Sequence, residues 1–304
     1  MSPIVVVGSI AFDSIETPFG KAGKILGGSA NYFALAASYF APVQVVSVVG
    51  EDLPKEHLEL LKSKGIDITG IKMEKGKTFH WAGRYGYDLH EAQTVATDLN
   101  VFEKFAPEVP TPYRKSPFLF LGNILPSLQT KVLSQMDNPR LIAIDTMNFW
   151  IEGFREELIK VISQCHALII NEAEIRQLTK MHNLVQAGNV VRSWGPNILV
   201  VKRGEYGAVL FDHGEIFILP GLPLSEVKDP TGAGDSFAGG FLGYLASQSR
   251  FSLSRSVLRK AVVYGSVMAS FTVQDFGFKD LLSLTSELLD ERYKKFIELT
   301  SFHI

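Results

Sequence analysis

"DPTGAGDSFAGGF", Asp229 to Phe241, gathers four glycines and a proline around the carboxylate of Asp235. Pro230 has no N–H to donate and biases Asp229 towards an extended backbone, so the stretch begins as a loop leaving a strand. Phe237, Phe241 and Leu245 then recur at helical spacing, which predicts a helix starting near Ala233 or Gly234. The N–H groups of Gly232, Ala233 and Gly234 fall at the positive end of that helix, beside side chains small enough for a phosphate to approach. Asp235, in the first turn, is expected to stay ionised at neutral pH, where it can take the proton of an attacking hydroxyl. The plain alternative is a glycine-rich turn whose acid complements the helix dipole. A Walker A loop is excluded, because Asp235 stands where Lys and Ser or Thr are needed. A dinucleotide fingerprint is excluded by Phe237 in place of a glycine.

Outside this loop, short β-branched runs recur, among them "IVVVGSI", "VQVVSVVG", "FLFLGNI", "LIAIDTM", "ALIINEA" and "NILVVKRGEYGAVLF". Several are followed by helix-period segments such as "PKEHLELLKSKG" and "EELIKVIS". Runs apolar on both faces, alternating with amphipathic helices, predict a doubly wound α/β fold with a mostly parallel sheet. No repeat or polar linker divides residues 1–304, so one domain is expected. Residues 69–97 break the pattern, being glycine-rich and strand-like, and predict a small β-flap inserted in that domain. Within it Phe79, Trp81, Tyr85 and Tyr87 share parity, so one extended strand would put all four on one face, opposite Thr78, His80, Arg84 and Asp88. That face serves either as a packing or homodimer surface, or as a lid over a ligand, and one surface can do both.

The formal net charge is −2 and the basic residues are scattered, which argues against nucleic-acid and membrane partners and for a small-molecule ligand. The single Cys165, in "SQCHALII", reads as a buried thiol near the start of a strand. The N-terminal "MSPIVVVGSIAFD" has no basic region of the signal-peptide kind, and a cytoplasmic protein is expected. The seven histidines show no metal-ligand spacing.

"DPTGAGDSFAGGF" resembles the C-terminal signature of the ribokinase-like, or PfkB-type, carbohydrate and nucleoside kinases. Three further stretches follow that family's order. "GGSANYFALAA", preceded by Asp13, resembles its Gly-Gly-x-x-x-Asn substrate loop, "NEAE" its Asn-x-x-Glu, and "VKRGEYGAVLF" its nucleotide strand and turn. The resemblance implies a central sheet between helices, with a β-lid formed by residues 69–97 and part of 9–22.

It also implies an ATP-dependent kinase acting on a hydroxyl, a primary one foremost, of a sugar or sugar-like acceptor, with a nucleoside kinase as the alternative. A non-catalytic sugar- or nucleotide-binding regulator is the reading from another class. By resemblance Asp235 is the catalytic base, and Gly232, Ala233 and Gly234 form the anion hole. Asp13, Gly27, Gly28 and Asn31 hold acceptor hydroxyls, while Asn123 stands where some members carry a sugar-binding glutamate. Asn171, Glu174, Lys202, Gly204 and Gly207 serve ATP, the first two orienting Mg²⁺ through water. On residues alone, Asn171 and Glu174 read equally as a helix capping box. Asp229 and Thr231, with Thr272, Asp275 and Gly277, match a monovalent-cation loop that often takes K⁺.

Overall fold

The computed structural model describes residues 1–301. Its strands are β1 (Ile4–Val7), β2 (Ala11–Thr17), β3 (Gly20–Gly27), β4 (Val43–Gly50), β5 (Ile66–Glu74), β6 (Phe79–Tyr85) and β7 (Ala92–Asp98). They continue with β8 (Phe118–Leu121), β9 (Leu141–Ile144), β10 (Ala167–Asn171), β11 (Ile198–Lys202), β12 (Ala208–Asp212) and β13 (Glu215–Leu219). Nine of them form one sheet in the order β13-β12-β11-β10-β9-β8-β1-β4-β5, while β3-β2-β6-β7 form a second. The large sheet is parallel from β11 to β5, and β12 and β13 close its other edge antiparallel.

The apolar runs explain this. Along β1, Ile4 and Val6 enter one core cluster and Val5 and Val7 the other; along β8, Phe118 and Phe120 part from Leu119 and Leu121 in the same way. Side chains alternate across a strand, so a run with no polar positions needs cover on both faces, and the helices supply it. On one face the helix Ser29–Ser38 lays Phe33 on Phe120, ring centroids 4.3 Å apart. The helix Ala233–Ser247 lies between that helix and Arg255–Thr272. The "GG" of the opening motif allows this approach. A Cβ on Gly239 would sit 2.5 Å from the Phe33 carbonyl, and one on Gly240 2.6 Å from that of Tyr264.

The small sheet is the expected lid, with altered bounds. Residues 69–74 lie in β5, which pairs in parallel with β4 and belongs to the large sheet, and the early part of the lid runs on through β3 to Gly27. Only one side of this edge strand is covered, so its alternation imitates a flap strand. The four aromatics do not form one wall. β6 ends at Tyr85, so Tyr87 falls in the following turn, 83% exposed beside Phe19. Phe79 stacks on Phe102 below the lid, at 5.4 Å. Among the even positions alternation holds: His80 bonds Ser14 and Asp98, and Arg84 pairs with Glu16.

Candidate active site

The "DPTGAGD" loop folds as its residues dictate. Gly232 takes φ 76° and ψ −3°, a left-handed conformation that costs glycine little, and caps the helix that starts at Ala233. The Tyr32 ring lies so close to it that a Cβ would collide. One expectation changes here. The Ala233 N–H donates to the Pro230 carbonyl at 3.1 Å, closing a turn with Gly232 at its third position, so Ala233 is occupied. The N–H groups of Gly232 and Gly234 have no protein acceptor among the described residues and remain as the cradle.

Asp235 faces a crowded interior. Burial and then the Asp145 carboxylate push its carboxyl up to about 7, against the opposing pull of Lys202, so the helix terminus does not hold it in the ordinary range. Glu174 is raised in the same sense, by burial and then by Asp145. Lys202, at the end of β11, brings its Nζ to 3.4 Å from Asp145 Oδ2. A Cβ on Gly234 would lie 2.7 Å from that Nζ, so the ammonium stands on the wall of the cradle. Burial opposes its charge, but Asp145, Glu174 and Asp235 outweigh burial and raise its pKa. Asn171 and Glu174 form a true capping box: Glu174 N–H donates to Asn171 Oδ1 at 2.8 Å, and Asn171 N–H to Glu174 Oε2 at 3.0 Å. Structural and functional readings of this motif are compatible, since the cap leaves Glu174 Oε1 for water or a cation. Gly204 and Gly207 both take positive φ in the turn after β11, where His90 of the lid stacks on Tyr206, centroids 6.0 Å apart.

On the acceptor side, Asp13 projects from β2 at a break in its register with β3. Burial and then Asp229 raise its carboxyl to about 7, against a hydrogen bond from the Gly28 backbone. A Cβ on Gly27 would overlap this carboxylate. Asn31 supports the loop instead of presenting its amide to a ligand. Its Nδ2 donates to the Gly27 carbonyl at 2.7 Å, and its Oδ1 lies 3.0 Å from His57 Nε2. Since that oxygen can only accept, His57 carries its proton on Nε2. Burial holds the ring neutral, its pKa pushed down to about 4. Asn123 is held by Trp150, whose Nε1–H donates to Oδ1 at 2.7 Å, and its Nδ2 faces Met147 Sδ at 3.1 Å.

In the expected cation loop, Asp229 is buried, and its Oδ2 has no hydrogen-bond partner. Its Oδ1 accepts the Thr231 N–H at 2.9 Å. Of the remaining contributors, the Gly277 backbone lies against Asp229 and pulls down the pKa that burial raises, whereas Thr272 Oγ1 donates to Met268 O in its own helix and Asp275 pairs with Lys228 and Lys279. Two residues at the site carry no motif. Asp145 sits beside the phosphate cradle, 57 residues before its partner Lys202, and His57 lies beneath the acceptor loop. Cys165 is buried just before β10, and burial pushes its thiol up to about 12.

The site thus joins a two-amide cradle, a buried carboxylate and a cation at one helix start. A family model described as pfkB family carbohydrate kinase matches residues 1–283. The chain belongs to the pfkB family. As a pfkB-family protein it is an ATP-dependent kinase whose acceptor is an alcohol group. It is 32% identical over 255 residues to the cytidine kinase of Thermococcus kodakarensis, covering 80% of this chain and 89% of that one. Its fold matches the nucleoside kinase of Methanocaldococcus jannaschii, described as an archaeal member of the ribokinase family, with a TM-score of 0.76, 20% identity and coverage of 97% and 99%. It also matches the Arabidopsis thaliana ribokinase complexed with ribose and ATP, with a TM-score of 0.74, 21% identity and coverage of 96% and 99%. Among the described residues no helix is long and apolar enough to cross a membrane.

Proposed function

We propose that this pfkB kinase is a nucleoside kinase, transferring the γ-phosphoryl group of ATP to the primary hydroxyl of a pyrimidine ribonucleoside. The observation that carries this reading is the pairing of Asp13 with Trp81 across parallel strands β2 and β6. Directly paired residues of adjacent strands emerge on the same face, so an acceptor carboxylate stands beside an indole. Trp81 lies flat over Gly83, with Nε1 donating to Thr94 Oγ1 at 3.3 Å, so the ring is fixed as a platform. A ribose held at Asp13 sets its base against that ring, and stacking of this kind contributes about 1–3 kcal/mol per base. The likeness to a cytidine kinase supports the pyrimidine.

In this reading Asp235 takes the proton of the acceptor hydroxyl, while the Gly232 and Gly234 N–H groups and Lys202 receive the phosphoryl charge. Asp145 pairs with the Lys202 ammonium, and the two carboxylates left over, Glu174 and Asp235, suit a divalent cation arriving with the nucleotide. Mg²⁺ would be carried by phosphate oxygens and water, with Asn171 and Glu174 orienting it. When bound, Mg²⁺ neutralises charge that develops on the phosphates. The unpartnered Asp229 Oδ2 suits a monovalent cation, K⁺ first among them.

The test is ADP release with cytidine, uridine, adenosine, inosine, ribose and fructose. Cytidine or uridine is expected to exceed ribose in kcat/KM by at least about tenfold, the worth of one good stack. A free sugar as the best acceptor overturns the reading.

A further inference from the structure

Asp145 directly follows the C-terminal end of β9, the central strand of the large sheet, and none of the recognised motifs contains it. Its Oδ1 accepts the Thr146 N–H at 2.8 Å, which fixes the carboxylate plane. Its Oδ2 receives Lys202 Nζ at 3.4 Å, and both side chains are largely buried, 8% and 16% exposed. The long contact leaves two of the three ammonium protons for another acceptor. Lysine has a flexible stem and many rotamers, so an ammonium that must meet a phosphate at one point benefits from a partner that selects one of them. Two other carboxylates, Asp235 and Glu174, also attract the same ammonium. An ammonium that settled on Asp235 would quench the base.

We propose that Asp145 is a positioning residue for phosphoryl transfer: it holds Lys202 Nζ against Gly234, where the ammonium meets the phosphoryl group, and keeps it from pairing with Asp235. The inference rests on the reading of Gly232, Gly234 and Asp235 as cradle and base. It assigns Asp145 no contact with substrate, so its removal acts through Lys202. It also predicts a split between binding and turnover. Removing a negative charge beside the phosphates does not weaken nucleotide binding, whereas a freed ammonium lowers kcat.

The experiment compares Asp145→Asn, Lys202→Met and the double variant, measuring kcat, acceptor KM and the Kd of a non-hydrolysable ATP analogue with Mg²⁺. Asparagine keeps the Thr146 contact and removes only the charge. For Asp145→Asn, kcat is expected to fall about ten- to a hundredfold, the scale of a displaced electrostatic group, with nucleotide Kd unchanged or tighter. In the Lys202→Met background the same substitution is expected to cost less than about threefold, because its target is gone. A kcat within about twofold of wild type, a Kd weakened in step with kcat, or losses that multiply in full each overturn the proposal. If Asp145→Asn does not fold, Asp145→Glu replaces it: keeping the charge but moving it should still lower kcat at constant nucleotide Kd, and unchanged kcat overturns the proposal. Asp235→Asn is assayed alongside. Retained turnover in that variant removes the reading of the base, whereas the coupling between residues 145 and 202 is read independently of it.

Discussion

Tyr85 Oη and Thr231 Oγ1 lie 3.1 Å apart, a hydrogen bond that joins the last residue of a lid strand to the loop bearing the anion cradle. Burial raises the Tyr85 pKa, so the phenol keeps its proton and the bond persists across the working pH range. Tyr85→Phe removes it and little else. A neutral hydrogen bond contributes about 1 kcal/mol, so acceptor KM should rise about fivefold with the melting temperature nearly unchanged. Steady-state kinetics against the best acceptor checks this, and an unaltered KM would show that the lid closes without the bond.

Asp235→Asn keeps size and polarity but cannot accept a proton. The expected loss is about 10² to 10⁴ in kcat, with ATP affinity retained. Single-turnover kinetics with saturating nucleotide separates the chemical step from binding. Near-normal turnover would remove Asp235 as the base.

The raised carboxyls make pH a second probe. Burial pushes the carboxyls of Asp13 and Asp235 up to about 7, far above the usual aspartate range. The base works deprotonated, so kcat/KM should fall on an acid limb near neutrality, well above the ordinary carboxylate range. The stability effect has the opposite sense. Between the unfolded and folded values the native state binds more protons, so these groups favour folding fully only below about pH 4, and that contribution is lost as pH rises through about 7. Asp235→Asn should therefore raise the melting temperature above neutral pH, by less as the pH falls, and leave it nearly unchanged only below about pH 4. A stability gain independent of pH would contradict the burial cost assigned here.

Trp81→Ala tests the platform. If a base stacks on the indole, acceptor KM should rise about ten- to a hundredfold for a nucleoside and only slightly for ribose. Equal, small changes for both would make Trp81 a packing residue.

Adding K⁺ to a buffer free of Na⁺ and K⁺ should raise kcat if a cation occupies the site beside Asp229, and Asp229→Asn should abolish the response. A flat titration would leave the buried Asp229 Oδ2 to another partner.

Much of this could be read from local patterns, and what could not depends on distant ones. The helix start at Ala233, the capping box of Asn171 and Glu174, and the two-faced strands follow from short-range chemistry. Asp145 was invisible, because "LIAIDTM" announces a strand end and nothing in it points to a lysine two strands away. His57 sits on an amphipathic helix, and only the folded chain supplies the burial that holds the ring neutral and the Asn31 amide that it meets. The aromatic wall failed because parity survives only while a strand lasts, and β6 ends at Tyr85. The upward shift of the Asp235 carboxyl escaped the sequence for a related reason: a helix terminus is local, whereas burial and Asp145 are supplied by the rest of the fold.

The order of the site along the chain has a consequence for recombination. Asp13, Gly27, Gly28, Trp81 and Asn123 all precede β9, and Asp145, Glu174, Lys202 and the Asp229 to Asp235 loop all follow the start of that strand. On the proposed assignments, acceptor choice and phosphoryl chemistry fall in two consecutive blocks of sequence. A crossover in the segment between Asn123 and Leu141 would exchange the first block whole, lid included, and would have to preserve its contacts with the second, Tyr85 to Thr231 and Tyr32 to Gly232. On those assignments, a chimaera joined there is expected to take the acceptor preference of its first block and keep the phosphoryl chemistry of its second.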